Sequence, residues 1–245
     1  MFTVLDVRIF TSKDLIHWNY ESAVTYKGNP LSSECPGVFE TVVKGKHHYV
    51  YSGAGKYFCL GDFKHVDGHL EFEVIGDKHE ISRGNMYANQ QFVYAPDNRI
   101  IMMGWMCDQS GWDFRKLGKT WDGYQTIPME VTLYEEDGAL KTKFYPVKEL
   151  ENLRGENVLS INEKTIKNTN IFEKTRLITF DLEMELDVSE TEFFELDFRV
   201  GKEEKTRLTF NKNKKEVELN TYLSGLLRHE HHHIPVSLEN NVLKI

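Results

Sequence analysis

Apolar and polar residues alternate with a period near two along most of this chain, the pattern of half-buried strands. Residues 4–11 read as extended and end at the turn Ser12-Lys13-Asp14. Residues 38–44 alternate, turn at Gly45-Lys46 and return through residues 48–52, a hairpin with Tyr49 and Tyr51 on one face. Residues 56–61 follow Gly53-Ala54-Gly55, and residues 70–74 alternate after the turn Val66-Asp67-Gly68. Two further hairpins are predicted. One joins residues 91–94 to 99–105 through Ala95-Pro96-Asp97-Asn98, the other joins 129–134 to 140–144 through Glu136-Asp137-Gly138. No long amphipathic helix interrupts the series. The chain therefore reads as all-β, as a propeller, barrel or sandwich.

The period changes near residue 146. Val147, Leu150 and Leu153 recur at helical spacing and predict a short connecting helix. Beyond it the alternation is cleaner. Ile178, Phe180, Leu182, Met184 and Leu186 form one set. Phe194, Leu196, Phe198 and Val200 form the next, followed by Leu208 with Phe210 and Val217 with Leu219. One face is apolar and the other polar, as in an antiparallel sandwich. The expected division is residues 1–145, a linker at 146–156, and residues 157–245.

Composition narrows the function classes. At 245 residues the chain holds one large or two ordinary domains with a real core. Thirty basic against 38 acidic side chains give a net charge of −8, which disfavours nucleic acid and anionic membrane as partners. No apolar run reaches membrane-spanning length. Cys35, Cys59 and Cys107 are odd in number and lack metal-like spacing, so no disulfide framework is implied. The N-terminus lacks the basic and apolar regions of a signal peptide, which favours the cytoplasm, and it reads as the middle of a strand. In His229-Glu230-His231-His232-His233, an extended backbone sends neighbours to opposite sides. Incidental transition-metal affinity is expected there, but no functional metal site.

The candidate chemistry begins at Glu34. Pro36 fixes its own φ and is expected to push Cys35 towards an extended conformation, which would put Glu34 on stiff backbone at the entry to a strand. A general acid needs such placement, because its oxygen must be held within reach of the leaving group. On position alone, Glu34 reads as a solvated glutamate. The surrounding motifs change that. Glu34-Cys35-Pro36-Gly37 is preceded by Ser12-Lys13-Asp14-Leu15 and Trp18. It is followed by Gly61-Asp62-Phe63, Tyr87-Ala88-Asn89-Gln90, Gly104-Trp105-Met106 and Ile127-Pro128-Met129-Glu130. In order and spacing this set resembles glycoside hydrolase family 32, best over residues 8–154.

The resemblance implies that residues 1–145 are the C-terminal part of a five-bladed β-propeller catalytic domain. Residues 146–156 would be a linker, and 157–245 an incomplete β-sandwich. It implies a β-fructofuranosidase-type enzyme: retaining hydrolysis of terminal β-fructosyl residues of sucrose, sucrose-6-phosphate or fructans, with two carboxylates about 5–5.5 Å apart and no cofactor. The partner would be a fructosyl-containing carbohydrate. By the same resemblance Glu34 is the general acid/base, and Tyr87 and Trp105 line the fructose pocket, each with a core aromatic as the alternative. Cys35 packs under the sugar or is simply a small buried thiol. Asp62 reads as a turn residue, with a pocket residue as the alternative.

The departures are as informative. The family's nucleophile lies in an Asn-Asp-Pro-Asn type motif, and a further aspartate in Arg-Asp-Pro. None of the six prolines here follows an aspartate. The expectation is a chain that begins after Arg-Asp-Pro and stops inside the sandwich. It would be inactive alone and completed by an upstream polypeptide segment; the alternative is a noncatalytic, degenerate sugar-binding remnant. Where the family is acidic before Tyr87, this chain has Ser82-Arg83-Gly84-Asn85-Met86, and Met129 stands where the family has a structural arginine.

Overall fold

The computed structural model describes residues 6–31, 34–53, 57–80, 86–92, 94–106, 118–121, 123–136, 138–225 and 230–245. The strand pairings among them are antiparallel. β1 (Arg8–Thr11) pairs with β2 (Asn19–Ala23), and β3 (Thr25–Tyr26) with β4 (Asn29–Pro30). The turn after β1 is built by its own side chains. Ser12 Oγ accepts the Leu15 N–H at 2.8 Å, and Asp14 Oδ1 accepts the N–H groups of Ile16 and His17 at 2.9 and 2.8 Å. The His17 ring, 2.7 Å from Asp14, together with these N–H groups holds the Asp14 carboxyl well below the usual carboxylate range.

β5 (Gly37–Val43), β6 (Lys46–Gly53), β7 (Tyr57–Val66) and β8 (His69–Glu80) form a four-stranded meander. Its middle strands are covered on both faces. Val50, Phe58 and Leu60 face one cluster with Met102 and Val131; Tyr51 and Cys59 face another with Val24, Leu31 and Phe72. Asp62 is not in a turn. It lies inside β7 opposite Glu73, because pairing with β8 runs on from Gly61↔Val74 to Val66↔His69. Gly61 permits that pairing: a Cβ there would come within 2.4 Å of Phe72 Cζ and 2.5 Å of the Glu73 carbonyl. The turn falls at Asp67-Gly68, both at positive φ.

The second sheet comprises β9 (Met86–Gln91), β10 (Ile101–Met106), β11 (Tyr124–Gln125), β12 (Met129–Glu136) and β13 (Ala139–Pro146). β10 has β9 along one side, with β11 and β12 end to end along the other. The turn falls where expected, but the first strand is Met86–Gln91, upstream of the expected 91–94, and takes in Tyr87-Ala88-Asn89-Gln90. Ala88 and Asn89 together oppose Gly104 in a β-bulge, with Ala88 at φ 50°. The bulge breaks the two-residue period, so alternation missed the strand. The connecting turn places Asp97 and Asn98 at φ 62° and 54°, which these side chains tolerate better than most.

The predicted connecting helix is a 3-10 helix, Lys148–Leu153, without buried residues. Polar contacts hold it in place of an apolar face. Arg99, whose side chain is 9% exposed, bonds Glu149 Oε1 at 2.6 Å and Glu130 Oε2 at 2.8 Å. That arginine draws the Glu149 carboxyl down from 4.5 to about 2.

Beyond the helix, β15 (Phe193–Phe198), β16 (Thr206–Asn211), β17 (Glu216–Asn220) and β18 (His231–Pro235) form a four-stranded sheet. β14 (Glu185–Asp187) pairs with β19 (Val242–Lys244). Val188, Phe210, Val217 and Leu243 form a third buried cluster. The alternation from residue 178 yields only the short strand β14. Met184 exchanges both backbone hydrogen bonds with Ile245, but no strand among the described residues pairs with 178–183, and Ile178 is 86% exposed. A strand period is realised only where a neighbour supplies the ladder. Among the described residues, no helix is long and apolar enough to cross a membrane.

Candidate active site

Buried Leu31 anchors the segment before β5, and Glu34 is exposed at its end. Cys35 is not extended as expected. Its φ is +44°, in the left-handed region. Pro36 disfavours the right-handed helical region for Cys35, and the reversal into β5 is completed through the left-handed one instead. A non-glycine residue held there costs about 1–3 kcal/mol, so the surroundings must fix it. Gln90 contributes, with its Nε2 donating to the Cys35 carbonyl at 3.3 Å.

β9 reads the start of β5 residue by residue. The Tyr87 phenol donates to the Glu34 carboxylate, Gln90 reaches Cys35, and Gln91 Nε2 donates to the Val38 carbonyl at 3.4 Å. Gly37 lets the two segments approach: a Cβ there would lie 2.4 Å from Gln91 Oε1 and 2.8 Å from Ser52 Oγ. Two sheets thereby meet at one carboxylate.

Trp105 stands opposite Tyr87 on β10. It is 49% exposed, which distinguishes it from a core aromatic. Its indole lies over Gly123, where a Cβ would sit 2.5 Å from Nε1. Glu34, Tyr87 and Trp105 thus fall on the loop before β5 and on the paired strands β9 and β10. Cys35 is half-buried beside them, whereas Cys59 is fully buried and its thiol is pushed up to about 11 by burial. Asp62 is engaged elsewhere, 3.5 Å from His48 Nδ1 and 3.8 Å from Lys46 Nζ. Arg83, Cys107 and His229 lie outside the described residues.

Sequence reasoning missed two features here. Trp121 and Tyr124 pack edge to face at 4.9 Å, both more than 40% exposed, and Tyr124 pairs with Met106 next to Trp105. Two large aromatics flanking Gly123 in an otherwise polar stretch were the available signal. Asn89 is fully buried, yet neither its Oδ1 nor its Nδ2 has a protein partner among the described residues. No local pattern marks it, because the bulge reverses its face.

Residues 4–146 match the family model of the glycosyl hydrolases family 32 N-terminal domain. The chain belongs to glycosyl hydrolase family 32. Among curated relatives, this family 32 chain is 24% identical over 265 residues to a levanase of Bacillus sp. (strain L7), covering 98% of this chain and 28% of the levanase. It is 31% identical over 138 residues to a β-fructofuranosidase, insoluble isoenzyme 1, of Oryza sativa subsp. japonica, covering 54% of this chain and 23% of that enzyme. It therefore spans about a quarter of the length of these relatives. Among solved structures, the exo-inulinase of Aspergillus awamori superposes with a TM-score of 0.67 at 16% identity, over 97% of this chain and 52% of the inulinase. A family 32 β-fructofuranosidase of Bombyx mori superposes with a TM-score of 0.62 at 19% identity, over 94% of this chain and 48% of its own. The fold is the family's all-β plan, a propeller followed by a sandwich, and this chain spans about half the length of these two solved structures.

Proposed function

We propose that this chain carries the acid/base side of a β-fructosidase site, with Glu34 as the proton donor. The observation that carries the reading is the bond from the Tyr87 phenol to the Glu34 carboxylate, with exposed Trp105 on the adjoining strand. A carboxyl fixed from a second sheet and open to solvent has the placement a general acid requires. Glu34 protonates the leaving glycosidic oxygen, and afterwards takes a proton from the water that attacks the fructosyl-enzyme. Tyr87 orients Glu34, Trp105 offers its ring to the C–H face of the sugar, and Cys35 packs beneath it. The substrate is a terminal β-fructosyl residue of sucrose, sucrose-6-phosphate or a fructan. A levanase is among the relatives, and a mutant of the Bombyx mori enzyme is solved with sucrose. Residues 1–145 form the propeller part, 146–156 the linker and 157–245 the sandwich part.

A retaining mechanism needs a second carboxylate as nucleophile. No aspartate precedes a proline in this sequence, so the proposed nucleophile and the transition-state-stabilising aspartate come from polypeptide outside residues 1–245. The chain alone is then inactive. The same observation favours the second reading, a noncatalytic sugar-binding remnant.

The experiment begins with the coding sequence upstream, where Asn-Asp-Pro and Arg-Asp-Pro motifs are expected. With that segment supplied, Glu34→Gln and wild type are compared on sucrose and on an aryl fructoside, with and without azide. General acid–base assistance is worth about 10²–10⁴-fold, so a loss of that order is expected on sucrose. The loss should be smaller on the aryl fructoside, whose leaving group needs no proton, and azide should restore turnover there. Equal losses without rescue would make Glu34 structural. No hydrolysis by the assembled wild type would favour the remnant.

A further inference from the structure

We propose that the polar face of the β17–β18 hairpin is a site for a divalent transition metal of the zinc class, with Glu218, His231 and His233 as ligands. The alternation that separates His231 from His232 puts His231 and His233 on one face. The opposite face of the same hairpin supplies Val217 to the buried cluster. In the register, Glu218 stands opposite His233 and Asn220 opposite His231. The two imidazoles are nearly parallel, with centroids 6.3 Å apart and an interplanar angle of 11°. Glu218 already bonds the His231 ring, and Asn220 Nδ2 donates to its Oε1 at 3.4 Å. One ligand atom from each of the three residues lies within 4.8 Å of the others.

Zinc–nitrogen and zinc–oxygen distances of about 2.0–2.2 Å set tetrahedral ligands roughly 3.4 Å apart. Closing this triangle therefore takes movements of roughly 1.5 Å. The histidine side chains are 42% and 46% exposed, and rotation about their side-chain bonds supplies movements of that size. Glu216, 3.3 Å from His233 Nδ1, is placed to orient that imidazole, as carboxylates do around metal-bound histidines. Lys214 Nζ, 3.6 Å away, offsets part of the Glu216 charge. Two imidazoles and one carboxylate suit Zn²⁺, Ni²⁺ or Cu²⁺, whereas Ca²⁺ and Mg²⁺ take oxygen ligands. The site also has a structural consequence. Among the described residues β18 is the edge of its sheet, paired only with β17, and an ion shared between them pins that edge.

The test uses the tag-free 245-residue chain, titrated with Zn²⁺ by calorimetry and with Co²⁺ by visible absorption. One ion per chain is expected. Zn²⁺ at a hundredfold over its Kd should raise the Tm by roughly 5–10 °C. Glu218→Gln is the decisive variant, because its residue lies on the other strand, outside the histidine tract. It, His231→Ala and His233→Ala should each weaken binding at least about tenfold, while His232→Ala, on the opposite face, leaves the affinity unchanged. Wild-type affinity in Glu218→Gln, or equal losses in the His231 and His232 variants, would reduce the tract to an unstructured chelator and overturn the proposal. So would no binding at all.

Discussion

Gly61→Ala tests how tightly β7 and β8 are drawn together. The added Cβ would meet the Phe72 ring at 2.4 Å and the Glu73 carbonyl at 2.5 Å. Neither partner yields easily. Phe72 is buried and packs edge-on to Phe63 at 5.3 Å, and the carbonyl belongs to the paired strand. Overpacking costs about 1–3 kcal/mol, and backbone involvement puts this site near the top of that range. Restricting the unfolded chain returns about 0.4–1 kcal/mol, because Gly61 does not need a positive φ. The net expectation is about 2–2.5 kcal/mol of destabilisation. At about 2–4 °C per kcal/mol for a chain of this size, the Tm should fall by about 4–10 °C. Thermal unfolding followed by circular dichroism reads the shift. Adding Phe72→Leu should make the pair non-additive by at least about 0.5 kcal/mol, since it removes one of the two collisions. A Tm at or above wild type, or strict additivity, would refute the reasoning.

In the assembled enzyme, Tyr87→Phe should lower kcat about tenfold with little change in KM, from the loss of one charge-assisted hydrogen bond at an open site; wild-type kcat would exclude a positioning role. Iodoacetamide should label half-buried Cys35 in the folded chain and reach Cys59 only after denaturation, as read by peptide mass mapping; comparable labelling of both would contradict the packing around Cys59. Glu149 has a lowered folded pKa, so the stability from its pairing with Arg99 is fully present above about pH 4.5 and lost as pH falls towards about 2. Urea midpoints measured from pH 6 to 2 should fall less steeply across that window in Glu149→Gln than in wild type, and parallel curves would count against the ion pair.

Alternation was legible where the ladder is unbroken. It marked β5, β6, β12 and β13, and later β15, β16 and β17, to within a residue or two in most cases. It failed where pairing, not pattern, decides. Gly61-Asp62 has turn chemistry, yet twelve-residue β8 carries the pairing straight through it. Residues 178–183 alternate, but no strand among the described residues pairs with them. Within the candidate site, Glu34, Tyr87 and Trp105 were legible as motifs. Their meeting was not, because the Glu34–Tyr87 bond joins residues 53 apart in sequence on different sheets. In the histidine tract, adjacent residues were weighed and alternate ones were not, and it is the alternate pair His231 and His233 that shares a face with Glu218.

The bulge at Ala88 and Asn89 stores part of the site as a count of residues. Gln90 to Tyr87 spans three positions on β9, while Met103 to Trp105 spans two on β10. After three positions a regular strand would turn Tyr87 to the other side; the bulge absorbs the extra residue and keeps Tyr87 on the side shared by Gln90 and Trp105. Straightening the bulge at constant length would turn the Tyr87 phenol away from Glu34 while leaving every proposed site residue in the sequence. The left-handed backbone at Ala88, at φ 50°, is therefore what keeps the phenol on its side. Deleting one bulge residue restores two-for-two pairing and keeps Tyr87 opposite Trp105, whereas a β-branched side chain at Ala88 works against the bulge itself.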